Sequence, residues 1–325
     1  MTNRITSKFG AKSTAMEVVK GISLNGKRAV ITGATSGIGV ETARAIAATG
    51  AQTTLAVRDV KRGEEVAKDI RKTTGNTDVT VMHLDLGSLS SVRAFAKDYL
   101  GQGKGWFSSQ PKPLHLLINN AGIMATPQTY TPDGFESQFG TNHLAHFLLA
   151  ELLMPALTRE GGRVVALSSI AHRRSDIHFD DINYKKRPYD KWEAYGQSKT
   201  ANALFAVGLT KRYKAKGVTA NAVMPGGIMT GLQENLSQEE MRAMGWLDEN
   251  GKLRDGFKTI EQGAATTVWA ATAPELKGVG GLYLEDCAEA EPWVAEKPFA
   301  GVVPHARSAE SAERLWTVSK QMTGS

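Results

Sequence analysis

The chain has 325 residues, 22% charged and 41% hydrophobic, and its 39 basic and 33 acidic side chains leave a net charge of +6. That balance fits a globular protein with a large core, and the basic excess is scattered, so it suits an anionic small molecule and argues against a nucleic-acid surface. Cys287 is the single cysteine, which excludes an intrachain disulfide and favours a reducing, cytoplasmic setting, and no apolar run is long enough for a spanning helix or a secretory leader, so no membrane contact is expected.

Residues 1–24 read as a polar arm with a short helix at 14–19. A β-branched strand at 29–32 then runs into Gly33-Ala34-Thr35-Ser36-Gly37-Ile38-Gly39 and a helix over 40–48. A helix opening straight out of a strand presents free N–H groups and the positive end of its dipole, which suits a pyrophosphate. Glycine is needed where a Cβ would block that approach or forbid the turn. A tight turn without ligand would use the same residues; the strand before and helix after favour a dinucleotide site. A second strand covers 52–57 and ends at Arg58-Asp59, and a charged helix follows at 63–72. A third strand, 79–84, ends at Asp85-Leu86. Ser88 caps a helix running to about residue 100. Residues 101–113 read as an exposed, mobile Gly/Pro/Ser loop.

A fourth strand at 114–118 leads into Asn119-Asn120-Ala121-Gly122. A long helix covers 135–157, and a fifth strand, 163–167, ends at Ser168-Ser169. A polar insertion at 171–190 precedes a helix at 191–216. A sixth strand, 218–223, stops at Pro225-Gly226-Gly227. Residues 230–258 read as irregular or short helices, 261–273 as a helix, 281–284 as a last strand, and 285–325 as loop and a final helix. Six alternations of apolar strand and helix predict one doubly wound α/β domain, with a mainly parallel sheet and helices on both faces. It would span 25–285, with 1–24 as an arm and 286–325 as an extension packed on it. Ligands in such sheets sit beyond the carboxyl ends of the strands.

Several groups at those ends could do chemistry. Tyr195 and Lys199 are four apart and share a helix face. A phenol titrates near 10 in water, and a nearby ammonium with an oxidised nicotinamide would favour the phenolate. A solvated helix face is the plainer alternative. Ser169 could hydrogen-bond a substrate oxygen; Ser168 points the other way along the strand, and which of them faces the site stays open. Asn142 is a poor mid-helix residue. Chemistry alone reads it as exposed; a helix kink that holds water is the functional reading. His143 and His146 lack a third ligand nearby, so packing and no metal are expected. Trp246 with Met229, Leu232, Met241, Met244 and Leu247 suggests an apolar substrate lid over about 229–258, or else an ordinary helix packed on the core.

Taken together, Thr32-Gly33-x-x-x-Gly37-x-Gly39, Asp85-Leu86, Asn119-Asn120-Ala121-Gly122, Asn142, Ser169, Tyr195-x-x-x-Lys199 and Pro225-Gly226 resemble the short-chain dehydrogenase/reductase family over about residues 25–285. Within it, the chain is similar to the retinol-dehydrogenase-like and WW-domain-oxidoreductase-like branch. The carriers are Ala56-Val57-Arg58-Asp59, the run from Thr141-Asn142-His143 to Leu149, Ser168-Ser169-x-Ala171-His172, and the long stretch before Tyr195. Vertebrate members of that branch often carry a membrane anchor; none is read here.

The resemblance implies a Rossmann-type domain and a set of roles. Tyr195 is the acid/base, Lys199 holds the nicotinamide ribose, Ser169 orients the carbonyl, and Asn142 holds a water. Gly33, Thr35, Ser36, Gly37, Ile38 and Gly39 cradle the cofactor. Asp85 contacts the adenine amino group and Asn119 the adenosine ribose side, Leu86, Ala121 and Gly122 also line the cofactor, and Pro225, Gly226 and Thr230 lie at the nicotinamide and pyrophosphate. Assembly through the helices at 135–157 and 191–216, as a homodimer or homotetramer, is implied as well.

The second strand separates the two nicotinamide cofactors. An acidic residue at its end would bind the ribose 2′-OH; Val57 cannot, and Arg58 can pair with a 2′-phosphate. Asp59 would serve NAD if the register slipped by one. The expectation is an NADP-dependent oxidoreductase, with NAD as the alternative, interconverting an alcohol and a carbonyl on a mainly apolar small molecule. A C=C reductase and a catalytically silent NADP-binding regulator are the rivals. Sugar-nucleotide epimerases fit less well, because their Gly-x-x-Gly-x-x-Gly turn is absent.

Overall fold

The computed structural model describes residues 4–102 and 110–325; most of the 101–113 loop, residues 103–109, lies outside the described residues. The apolar, β-branched runs form strands β1 (Arg28–Thr32), β2 (Gln52–Val57), β3 (Val79–His83), β4 (Leu116–Asn119), β5 (Arg163–Leu167), β6 (Thr219–Met224), β7 (Tyr283–Glu285) and β8 (Ala288–Glu289). Their order is β3-β2-β1-β4-β5-β6-β7-β8, parallel from β3 to β7, with β8 antiparallel. The chain reverses direction across the sheet between β1 and β4, which opens a crevice at the carboxyl edge.

Helices α1 (Ala15–Val19), α2 (Gly37–Ala48) and α9 (Ile260–Thr272) cover one face, where Ile31, Ile46, Leu55, Val268 and Trp269 are buried. α4 (Leu89–Gly101), α6 (Ala145–Leu157) and α7 (Lys191–Tyr213) cover the other, around Phe95, Phe147, Leu148 and Phe205. α3 (Val60–Thr74) packs against β2 and β3, where Gly63 leaves room for Val57 and Val81. Ser88 caps α4 as its position suggests, accepting from the Ser91 N–H. Among the described residues no helix is long and apolar enough to cross a membrane.

Three features depart from the sequence reading. The helix at 135–157 starts two residues late because the Glu136 carboxylate caps it, accepting from the Gln138 and Phe139 N–H groups. It then comprises α5 (Ser137–Phe139), a π-helical turn (Gly140–Leu144) and α6. The tail read as loop donates β8, through a turn in which Asp286 and Cys287 both have left-handed φ, 48° and 56°. That turn lacks the Asn-Gly signature of such hairpins, so nothing in the sequence marks it. Finally, α10 (Ala309–Thr323) lies across α6 and α7. Trp316 sits 4.8 Å from Phe147 and stacks parallel on Phe205, and Arg212 pairs with Glu313. The helix faces implied for subunit assembly are therefore covered by this chain's own C-terminal helix.

Candidate active site

The turn after β1 forms a cradle. Gly33 has φ 69° and an added Cβ there would lie 2.7 Å from the Ala121 Cβ; at Gly39 it would run into the Gly33 carbonyl oxygen. Thr32 pins the two sides together: its hydroxyl oxygen accepts from the Asn120 N–H (2.9 Å) and the Ala121 N–H (3.0 Å). Ser36 is the N-cap of α2, yet its exposed hydroxyl makes no capping bond, so the first N–H groups of that helix stay open. Thr35 is partly exposed beside it, and Ile38 packs toward Ile228 and Gly263. Thr230 closes over the turn, its methyl 3.2 Å from where a Gly37 Cβ would stand.

Along the rim, Asn119 is buried with neither amide atom paired, and the Asn120 Oδ1 is unpaired too. Unpaired buried amides are costly, so this edge is shaped for polar atoms supplied from outside the chain. Asp85 Oδ1 accepts from the Gly87 N–H at 2.8 Å, and Leu86 is buried beneath it. Arg58 is exposed and makes no hydrogen bond or ion pair among the described residues. Asp59, the complication for cofactor choice, is the N-cap of α3 and accepts from the Arg62 N–H at 2.9 Å. Open helix N–H groups, a glycine cradle and orphaned amides together fit a dinucleotide.

The carboxyl end of β5 brings the candidate catalytic groups together. Ser168 turns inward and its hydroxyl donates to the Lys199 carbonyl at 2.8 Å. Ser169 caps the following 3-10 helix, its hydroxyl accepting from the Ala171 N–H at 3.2 Å, and lies close enough to the Tyr195 phenol to lower its pKa. Tyr195 and Lys199 are only 4% and 5% exposed, so the solvated-face alternative is wrong. Burial sets both pKa values: the phenol is pushed up to about 12, with Ser169 pulling the other way, and the ammonium is pushed down to about 8. The expected lowering of the phenol by the ammonium is not what the protein alone produces. Lys199 Nζ lies 5.5 Å from the Tyr195 ring centroid and donates to the Leu167 carbonyl at 3.1 Å.

Asn142 is fully buried, which corrects the exposed reading. It sits in the π-helical turn, where its Nδ2 donates to the Ile123 carbonyl and the Ser198 hydroxyl (2.9 Å each) and its Oδ1 accepts from the Ile123 N–H (2.8 Å). The amide is thereby locked beside Gly122, where an added Cβ would be 3.1 Å from Asn142 Oδ1 and 3.4 Å from Lys199 Nζ.

Opposite Tyr195 lies an apolar wall. Met124, Leu236, Leu232, Met241, Met244, Trp192 and Trp246 cluster with it. α8 (Gln238–Ala243) and its flanks, the segment read as a lid or as an ordinary packed helix, thus join the same apolar cluster as Tyr195. Lys191 pairs with Glu240, and Asn235 Nδ2 donates to the Met124 carbonyl at 3.2 Å, tying this segment to the rest of the domain.

Residues 27–241 match the family described as short chain dehydrogenase. A Streptomyces antibioticus protein described as "Probable oxidoreductase" is 44% identical over 91% of this chain and 97% of its own length. Retinol dehydrogenase 12 of Mus musculus is 42% identical, over 93% of this chain and 88% of that one. A crystal structure of a Mycobacterium Paratuberculosis protein superposes with a TM-score of 0.70 at 35% identity, covering 97% of this chain and 98% of the other. The chain belongs to the short-chain dehydrogenase family. It is an oxidoreductase of that family, built on a Rossmann-type domain.

Sequence reasoning missed the groups that support the short-chain dehydrogenase site from behind. His146 bridges Thr32 and the π-helical turn: Nδ1–H donates to the Asn142 carbonyl at 3.0 Å, which leaves Nε2 to accept from the Thr32 hydroxyl at 2.9 Å. Burial pushes its pKa down to about 4, so it stays neutral. His143 instead packs between Phe139 and Phe205 and bonds Ser319 of α10. His172 accepts from the Val303 N–H at Nε2 (3.2 Å), so Nδ1–H donates to the Ser169 carbonyl at 2.8 Å; the Tyr283 hydroxyl donates to the same carbonyl at 3.0 Å. Lys258 clamps the Pro225-Gly226 turn, its ammonium reaching the Pro225 carbonyl (3.1 Å) and the Asp286 carboxylate (2.5 Å). Apart from the short-range bonds of His146 to Asn142 and of His172 to Ser169, these hydrogen-bond partners lie 28 to 176 positions away, so no local spacing could have revealed them.

Proposed function

We propose that the protein is an NADP-dependent enzyme that interconverts an alcohol and a carbonyl on a mainly apolar small molecule. The carrying observation is the convergence of Ser169, Tyr195 and Lys199 beside the glycine cradle and beneath an apolar lid. When bound, NADPH supplies the hydride that goes to the carbonyl carbon. Tyr195 donates its proton to the carbonyl oxygen, and a phenol held protonated by burial is in the right form for that direction. Ser169 hydrogen-bonds the same oxygen and holds it at the phenol. Lys199 remains charged near neutrality and holds the ribose hydroxyls. Asn142 fixes the backbone around Gly122 and Ile123. Arg58, free of partners, takes the 2′-phosphate, while Asp59 is spent on its helix cap.

The resemblance to a retinol dehydrogenase supports an apolar alcohol or aldehyde. The lone buried Cys287 supports a reducing, cytoplasmic setting. The cover of α10 over α6 and α7 supports a chain that does not assemble through those helices. The test is NADPH oxidation with cinnamaldehyde and with saturated aldehydes, followed by product analysis. Cinnamyl alcohol is expected; a saturated aldehyde from cinnamaldehyde would mean C=C reduction instead. Tyr195→Phe should lower turnover by about a thousandfold, within the usual range for losing a general acid, and leave NADPH affinity almost unchanged. Near wild-type turnover would overturn the mechanism.

A further inference from the structure

The short 3-10 helix Ile170–Arg174 begins at Ser169 and ends in two adjacent arginines. Each guanidinium lies on an indole: Arg173 on Trp293 and Arg174 on Trp192, both 5.4 Å from the ring centroid. Trp192 in turn meets Tyr195 edge-on at 6.4 Å and Trp246 at 6.0 Å. One indole therefore has the reacting phenol on one side and a cation on another. Arg173, Arg174, Trp293 and Val303 line a cavity of about 330 Å³, within the size range of small-ligand sites.

The pair is unbalanced. Among the described residues no carboxylate stands within ion-pair distance of either arginine, whereas Arg44, Arg187 and Arg212 all have acidic partners. Arg173 Nε donates to the Ile170 carbonyl at 3.3 Å, and nothing bonds the Arg174 head. The nearest acidic residue in sequence, Asp176, turns its carboxylate to the Ile177 N–H at 2.7 Å. Arg173 is partly buried, and both burial and the neighbouring Arg174 lower its pKa, so the resting protein holds one partly dehydrated cation beside an exposed one of like charge. A guanidinium held near an aromatic ring by cation–π attraction can still use its N–H groups for bidentate pairing with an anion.

We propose that Arg173 and Arg174 form an anion site at the far end of the substrate wall, which takes a carboxylate on the end of the substrate remote from its reacting carbonyl. The preferred substrates are then amphiphilic: a carbonyl at Tyr195, an apolar body along Trp192 and Trp246, and an acid at the arginines. This rests on the alcohol–carbonyl reading, so binding and turnover are tested separately. Calorimetry on the NADPH-loaded protein would compare nonanoate with 1-nonanol. Nonanoate should bind about tenfold more tightly, the worth of a charge-assisted pair, and the advantage should shrink with added salt. Kinetics would compare 9-oxononanoate with nonanal, where the acid should show about a tenfold higher kcat/KM on the same reasoning.

In Arg173→Gln/Arg174→Gln both ratios should fall to about one, and Arg174→Glu, at an exposed position, should invert them. Equal binding of nonanoate and nonanol by the wild type, or a preference that survives in the double variant, would overturn the site. A binding preference lost in the double variant, with neither aldehyde reduced, would keep the site and overturn the redox reading.

Discussion

The two halves of the site edge treat polar groups in opposite ways. On the β1–β4 side, buried amides and a helix N-terminus are left without partners: Asn119, the Asn120 oxygen, the Ser36 hydroxyl. On the β5–β7 side almost every polar group is already bonded within the chain, including Asn142, Ser168, His172 and the Ser169 carbonyl. An edge with open groups is a receptor, stable in full only when something outside the chain completes it. An edge with closed groups is a jig: it holds the Tyr195 phenol, and the Ser169 hydroxyl that accepts from the Ala171 N–H at 3.2 Å, against a rigid frame.

Substitutions in the two halves should therefore fail differently. The largest separation should come from Gly39→Ala, whose Cβ would meet backbone: NADPH affinity should drop about a hundredfold or more while circular dichroism stays native. Retained NADPH affinity, measured by its fluorescence, would mean the cradle is not a receptor. Arg58→Ala should act only on cofactor choice. The kcat/KM ratio of NADPH over NADH, expected above one in the wild type, should fall about tenfold on loss of a charge-assisted pair. A wild-type ratio below one would remove Arg58 from the site.

The smallest effect sharpens the comparison from the closed side. Lys199 is buried with its pKa lowered from 10.5 to about 8. Between those values the unfolded chain holds a proton that the folded chain has released, so folding stability from this group rises with pH across that window. At pH 7 the buried charge works against folding. Lys199→Met should thus raise Tm by about 2–4 °C at pH 7 while activity is lost, and that gain should shrink by pH 10. A large drop in Tm would mean that the ammonium's bond to Leu167 outweighs its burial.

The open half was the more legible in sequence. Gly33, Gly37 and Gly39 announce themselves because only glycine satisfies their backbone and clearance, and Val57-Arg58 by its place at a strand end. The Asp59 ambiguity could not be settled from spacing, since a carboxylate that caps a helix and one that binds a ribose occupy neighbouring positions. In the closed half, Tyr195 and Lys199 were readable from their four-residue interval, but their burial was not: an apolar segment some 40 residues onward clusters with the phenol. Asn142 misled for a clear reason. A polar residue in a helix is ordinarily exposed, and only the tertiary partners Ile123 and Ser198 make burial affordable. β8 and the reach of α10 over α6 and α7 left no local signature at all.

The π-helical turn at Gly140–Leu144 has one more implication. Its closing bond joins the Ala145 N–H to the Gly140 carbonyl, one residue farther than in an α-helix. Deleting any residue there would restore the ordinary pitch and swing one flank by about 100° around the axis. His146 would then leave Thr32, or Asn142 would leave Ile123. Residue count, more than residue type, is what this segment must keep, and sequence drift here should proceed by replacement and never by insertion or loss.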